Sequence, residues 1–192
     1  MSTRRICMLT YTIKVAGLTR HLPICKVNDS LSIGAFVIFG DVELTVRCAE
    51  ALLAIAPEHD YMISPEAKSI PLIYEMARQS GINRYFLARK SPKLYMRGVF
   101  ESDVVSITTA HPQKLYLDLD DAEFMRGKRI LIIDDVISTG ESIQAVEDLV
   151  KKAGGIVAGK MAILAEGDAR QRTDIRFLEP LPLFNADGSI KE

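Results

Sequence analysis

Two adjacent aspartates, Asp134 and Asp135, close the aliphatic run Ile130-Leu-Ile-Ile133, and Ser138-Thr139-Gly140 follows three residues later. Ser138 and Thr139 offer hydroxyls, and Gly140 lets the backbone come close to a ligand. The unpaired N–H groups of a helix opening there complete a cradle for a phosphate. Carboxylates would repel a phosphate set directly against them, so Asp134 and Asp135 suit different partners, namely sugar hydroxyls or a hydrated Mg²⁺. A phosphate with a diol beside it describes a ribose 5-phosphate.

A purely structural alternative exists for part of this run. Ser138-x-x-Glu141 has the form of a capping box, which needs no ligand. Capping leaves the aspartate pair unexplained, because a buried carboxylate without a partner is costly. Two other phosphate motifs are excluded: no Gly-Lys-Ser/Thr has Walker A spacing, and no G-x-G-x-x-G follows a strand.

The elements that would position these residues can be read on either side of them. Four aliphatic residues bounded by turn residues predict a fully buried parallel strand. Beyond Gly140, apolar positions at Ile143, Val146, Leu149, Val150 and Ala153 recur at helical spacing until Gly154-Gly155. The loop between them lies where an open α/β sheet binds its ligand, outside the carboxyl end of a strand. Upstream, residues 6–27 alternate around Gly17 as a β-hairpin, and 42–56 carry a helix that Pro57 stops. Then come a strand at Tyr61–Ile63, a loop at 64–68, a helix at 69–80, a strand at Arg84–Ala88 and extended segments at 103–110 and 114–119. A strand at 156–165 follows the central helix, and 170–192 is expected to add little beyond packing Pro180–Phe184 on the core, with Asp187–Glu192 frayed. This divides the chain into a small N-terminal region, 1–56, and an α/β core, 57–192, within one structural domain.

Composition agrees with a compact enzyme. The chain has 192 residues, 48% of them hydrophobic, with a net charge of −1, which argues against a general nucleic-acid binder. Its three cysteines, Cys7, Cys25 and Cys48, form no C-x-x-C pair and read as reduced thiols of a cytoplasmic protein. Neither a signal peptide nor a membrane-spanning run is expected.

Two further loops fall at the same sheet edge. Ser64-Pro-Glu-Ala-Lys-Ser-Ile70 follows a short apolar strand and precedes an amphipathic helix, so it could grip a ligand opposite the first loop. It could equally be an ordinary helix start, with Ser64 as N-cap and Pro65 at N1. Arg89-Lys90-Ser-Pro-Lys93 brings three cations to that edge, or forms a solvated basic turn.

The run 130–142 resembles the thirteen-residue phosphoribosyl pyrophosphate motif of type I phosphoribosyltransferases: aliphatic strand, Asp-Asp, two variable residues, Ser/Thr-Thr-Gly, a small or polar residue, then Ser/Thr. The resemblance covers most of residues 35–165. It implies an α/β fold with a central, mainly parallel sheet flanked by helices and a small N-terminal hood. Asp134 and Asp135 would be catalytic, holding the ribose hydroxyls, and Val136, Ile137, Ser138, Thr139, Gly140, Glu141 and Ser142 would complete the ribose-phosphate site. Ala67, Lys68, Arg89, Lys90 and Lys93 would meet the pyrophosphate together with Mg²⁺, for which Asp134 and Asp135 are also candidate ligands. Loss of pyrophosphate passes through an oxocarbenium-like state in which water competes as nucleophile, so preorganised charge and a closing lid matter.

The adenine phosphoribosyltransferases are the most similar members. Lys90-Ser-Pro-Lys93-Leu94-Tyr95 resembles the start of their mobile flap, which would span 91–112. Phe36-Val-Ile-Phe-Gly-Asp-Val-Glu-Leu44 resembles their Val-Val-Phe-Arg-Asp-Ile stretch, which places Phe39 on the purine with Ile38, Val136 and Ile137 nearby; alternatively Phe36 and Phe39 fill the core under the hairpin. Gly40 replaces the family's arginine, and Ser106-Ile-Thr-Thr-Ala-His-Pro112 replaces its acidic flap sequence. That flap is also similar to xanthine phosphoribosyltransferases, and His111 is a candidate for handling the base proton. The expected activity is that of a pentosyltransferase of purine salvage, converting phosphoribosyl pyrophosphate and a purine, adenine favoured, to the nucleoside 5′-monophosphate. A xanthine or hypoxanthine-guanine enzyme and a non-catalytic regulator that binds phosphoribosyl pyrophosphate are the alternatives. The resemblance also implies a homodimer, with no nucleic-acid or membrane partner.

Overall fold

A computed structural model describes residues 9–104 and 113–191. Its centre is a five-stranded sheet of β4 (Tyr61–Pro65), β5 (Phe86–Ala88), β8 (Arg129–Ile137), β9 (Ile156–Glu166) and β10 (Arg176–Leu181), in the order β10-β9-β8-β4-β5 and parallel throughout. The aliphatic run of β8 explains why both faces are covered. Ile130 and Ile132 point into one core and Leu131 and Ile133 into the other, and all four are fully buried.

Helix α4 (Glu141–Lys152) covers the first face with Ile143, Val146, Leu149 and Val150. Helices α1 (Val42–Ile55) and α2 (Ile70–Ser80) cover the second with Leu44, Cys48, Leu52, Leu72, Ile73 and Met76. Each buried aliphatic side chain of this kind contributes about 1.5–3 kcal/mol. The chain leaves β4 through α2 toward β5, and leaves β8 through α4 toward β9 on the other side. The strand order therefore reverses between β4 and β8, the point at which an open α/β sheet forms a crevice.

The hood is a four-stranded sheet, β1 (Thr10–Val15), β2 (Leu18–Asn28), β3 (Leu31–Gly34) and β11 (Leu183–Phe184), in that order. Its hairpin turns at Ala16-Gly17 as expected, and Arg20 ties it to the start of α1 by two bonds to Asp41, of 2.6 and 3.1 Å. Asp41 is the N-cap of that helix, accepting from the Leu44 N–H at 3.0 Å. Ile13, Val15 and Leu22 of the hood share one core with Leu131 and Ile163 of the central sheet.

Several expected boundaries shift. The tail is integral: β10 forms an edge of the central sheet, and β11 returns the chain from the 57–192 segment to the hood expected over 1–56. Residues past 186 are not frayed among those described, since Asn185 to Ser189 closes a turn and Lys191 N donates to Leu183 O at 2.8 Å. Pro180 is tolerated because β10 is an edge strand. A short helix, α3 (Leu119–Met125), was not expected, and β5 starts at Phe86 instead of Arg84. The first extended segment begins earlier, as β6 (Val99–Val104), and pairs with β7 (Gln113–Asp118) in an antiparallel ribbon. Residues 105–110 of that segment lie outside the described residues, as does His111.

Candidate active site

The crevice is built from the loops that follow β4 and β8. The pleat of β8 turns Asp135 inward, 3% exposed, and leaves Asp134 half-buried at the edge. The Asp135 N–H donates to Asp134 Oδ1 at 2.8 Å, which fixes the first carboxylate against the backbone of the second. Burial, and next the charge of Asp135, push the Asp134 carboxyl well above its usual range. A cation or a set of hydroxyl donors placed there would relieve that penalty.

Past Asp135 the turn Ser138–Gly140 leads into α4. Gly140 is the N-cap residue, with φ 82° and ψ 4°, and it has no side chain with which to cap the helix. The capping box Ser138-x-x-Glu141 is therefore not formed, because the helix starts two residues too late for Ser138 to reach it. The helix's first N–H groups have no partner within the helix itself, and residues 141–143 that carry them line a recess of about 120 Å³ together with Asp134 and residues 136–140. Positive backbone charge and hydroxyls thus converge on one small, open space.

The loop after β4 faces it. Ser64 and Ser69 are both buried, with their hydroxyls 2.6 Å apart, and the Ser69 hydroxyl donates to Pro65 O at 3.2 Å. Ser69, not Ser64, is the N-cap position of α2, and Pro65 ends β4, so the ordinary helix start at 64–65 is not what the chain forms. The Glu66–Ala67 peptide between them is cis. Lys68 reaches across the crevice to place Nζ 3.2 Å from Asp135 Oδ2, an oxygen that has no hydrogen-bond partner among the described residues. The contact is an ion pair within bonding distance but without the alignment of a hydrogen bond. A larger recess of about 260 Å³ opens here, with Ala67, Lys68, Lys90, Asp134, Asp135 and Ser142 on its walls.

Of the four cations expected near the pyrophosphate, the structure brings Lys68 and one member of the 89–93 run into this recess. Lys90 lines it, held by its backbone N–H donating to Glu66 Oε2 at 2.9 Å. That bond, with the Arg89 charge adding to it, keeps the Glu66 carboxyl below its usual range. Arg89 instead turns to Glu66 at 3.3 Å and donates to the Tyr95 hydroxyl at 2.8 Å, in a neighbouring recess with Asp118 and Asp121. Lys93 turns to Ser91 Oγ at 2.8 Å and does not line the crevice. Competing carboxylate and hydroxyl partners explain both departures.

The expected base-contacting residues divide similarly. Phe39 is 50% exposed, whereas Phe36 fills the core under the hood. Ile38 is fully buried beside Phe36 and has no side-chain face for a ligand; Ile137 is nearly as buried, against α4. Val136 is half-buried and lines both recesses. Gly40 has φ 80°, a left-handed backbone in which the family's arginine would be strained. Glu166, at the carboxyl end of β9, was missed: it is buried, and burial pushes its carboxyl up against the opposing influence of the Ser138 hydroxyl and the Lys68 charge. An acidic residue ending an apolar strand is the same signal that marked Asp134.

Residues 47–179 match the phosphoribosyl transferase domain family. The chain belongs to the phosphoribosyltransferase family. Within it, the adenine phosphoribosyltransferase of Thermotoga sp. (strain RQ2) is 31% identical over 153 residues, covering 75% of this chain and 81% of that one. An orotate phosphoribosyltransferase of Caldanaerobacter subterraneus is 30% identical over 111 residues, 58% of this chain, which spans about half (47%) of that protein's length. The fold is shared with the crystal structure of adenine phosphoribosyltransferase from Thermoanaerobacter pseudethanolicus, at a TM-score of 0.65 and 23% identity over 74% of this chain and 84% of that one. The phosphoribosyltransferase fold, with its parallel sheet flanked by helices, is therefore the one expected from residues 130–142.

Proposed function

We propose that this phosphoribosyltransferase joins a purine, adenine favoured, to the ribose 5-phosphate moiety of phosphoribosyl pyrophosphate and releases pyrophosphate. The 3.2 Å approach of Lys68 to Asp135 carries the reading, because it sets a pyrophosphate-binding cation beside a ribose-binding carboxylate across the crevice. In this reading the start of α4 and Ser138–Gly140 bind the 5′-phosphate. Asp134 and Asp135 accept from the ribose hydroxyls. Lys68 and Lys90 stabilise the charge that develops on pyrophosphate as its oxygen leaves C1 of the ribose and a ring nitrogen of the base bonds to that carbon.

The donor set fits Mg²⁺. Among the described residues no group of three or more potential ligands exists, so Asp134 and Asp135 would hold the ion jointly with the oxygens of the diphosphate, the usual arrangement for this metal. Bound there, Mg²⁺ would supply positive charge to the leaving group. Phe39 offers the exposed aromatic face for a flat base, and the names of the Thermotoga relatives support adenine. The cytoplasmic setting and the homodimer belong to the same proposal. Among the described residues, no helix is long and apolar enough to cross a membrane.

Incubating the purified protein with phosphoribosyl pyrophosphate, Mg²⁺ and, separately, adenine, hypoxanthine, guanine, xanthine and orotate tests the reading. Pyrophosphate and AMP are expected with adenine. Turnover with xanthine, hypoxanthine or guanine alone would reassign the base, and turnover with none would discard the function.

A further inference from the structure

Against the phosphate-binding turn, in a recess shared with Thr139 and Gly140, lies a cation that no part of the proposed reaction uses. Arg172 follows the short 3-10 turn Gly167–Gln171 at the end of β9. Its Nε and Nη2 donate to the two oxygens of Asp174 at 2.9 and 2.7 Å, which fixes the plane of the guanidinium. The remaining nitrogen, Nη1, rests against Gly140, so closely that a Cβ on that residue would collide with it.

The far side of Asp174 is anchored as well. Lys160 of β9, only 12% exposed at its side chain, bonds Asp174 at 2.6 Å and Glu147 of α4 at 2.8 Å. The chain of contacts Glu147, Lys160, Asp174, Arg172, Gly140 thus runs from the middle of α4 back to that helix's own N-cap. Two cations and two carboxylates cancel, so its action is mechanical more than one of net charge. The turn needs such support, because Gly140 has no side chain with which to cap the helix.

We propose that Arg172 is a positioning residue that braces Thr139-Gly140 so that the first N–H groups of α4 point at the 5′-phosphate. This rests on the phosphate reading of the turn given above. It predicts that Arg172→Ala raises KM for phosphoribosyl pyrophosphate about tenfold or more, as misplacement of a binding group does, with little change in kcat or in KM for the base. Arg172→Lys should not rescue, since an ammonium cannot make the forked pair with Asp174 while touching Gly140.

Calorimetric titration with ribose 5-phosphate separates the outcomes. The parent should bind it, and Arg172→Ala and the charge-balanced double variant Arg172→Ala/Asp174→Asn should both bind it about tenfold more weakly. A parent that fails to bind ribose 5-phosphate would overturn the phosphate reading itself. If the parent binds and Arg172→Ala binds equally well, only the brace is wrong. Restored affinity in the double variant would also overturn it, by showing that the uncovered Asp174 charge was the cause.

Discussion

Lys68 Nζ and Asp135 Oδ2 lie 3.2 Å apart, the lysine on the loop after β4 and the aspartate near the end of β8, and this contact spans the point where the strand order of the central sheet reverses. Asp135 is 4% exposed at its side chain and Lys68 is 51% exposed, so the pair is half-wetted. Its value to stability is accordingly small, on the order of 1 kcal/mol or less. In the proposed reaction its value is larger, since there the cation would be preorganised for an anionic leaving group. Lys68→Met is expected to lower kcat by about 10²-fold, as loss of a preorganised charge-stabilising group does. Thermal unfolding should move little. Steady-state kinetics beside a melting curve checks both; an unchanged kcat would remove Lys68 from the reaction.

The Asp134 carboxyl titrates upward on folding, because burial and Asp135 both oppose its charge. Between its unfolded value of about 3.9 and the raised folded value, the native state binds more protons than the unfolded one. This group's share of stability is therefore fully present below the unfolded value and is lost as pH rises through the folded one. Asp134→Asn keeps an oxygen for the Asp135 N–H and removes the charge. The ligand-free variant should melt higher than the parent at pH 7–8, with the difference vanishing toward pH 4, while binding of phosphoribosyl pyrophosphate weakens. A variant less stable than the parent at neutral pH would show that the charge is not penalised.

Two nearby phenylalanines separate packing from function. Phe36 is 4% exposed and Phe39 is 50% exposed. Phe36→Ala should cost about 3–5 kcal/mol in chemical denaturation, the usual price of emptying a buried aromatic site. Phe39→Ala should leave the denaturation midpoint nearly unmoved, within about 0.5 kcal/mol, and raise KM for the base several-fold. If KM for the base stays constant, the aromatic face of Phe39 does not meet the purine.

How far the sequence carried these assignments depends on what each residue's signal was local to. The β8–turn–α4 unit was legible because a doubly buried strand, a carboxylate pair and a helical repeat follow one another without interruption. Hood residues Phe36 and Ile38 were not separable from Phe39, since alternation gives a side but not which side a ligand occupies. Strand β10, Arg176-Phe-Leu-Glu-Pro-Leu181, has a mixed pattern because only one of its edges is paired. The basic run 89–93 read as three equivalent cations, and only the fold shows Glu66 and Tyr95 taking Arg89 and Ser91 taking Lys93. Partners distant in the chain leave no spacing to read.

The register of β4 on β8, which sets both loops at one level, is clamped at the opposite end of the two strands. Asp60, just before β4, accepts from the Arg129 backbone N–H at 2.8 Å and from its guanidinium at 2.9 Å, and Tyr61 then pairs with Ile130. The guanidinium bond, then the backbone bond, hold the Asp60 carboxyl down to about 2. Its folded value is lower than its unfolded one, so the stabilisation is present above about pH 4 and is lost as pH falls through 2. Asp60→Asn should therefore melt below the parent at pH 6–7, and the gap should close between pH 4 and 2. Activity at neutral pH should persist wherever the variant stays folded, because the clamp lies at the far end of the strands from the crevice. A gap that stays constant down to pH 2 would mean that the carboxylate charge contributes nothing to joining the strands.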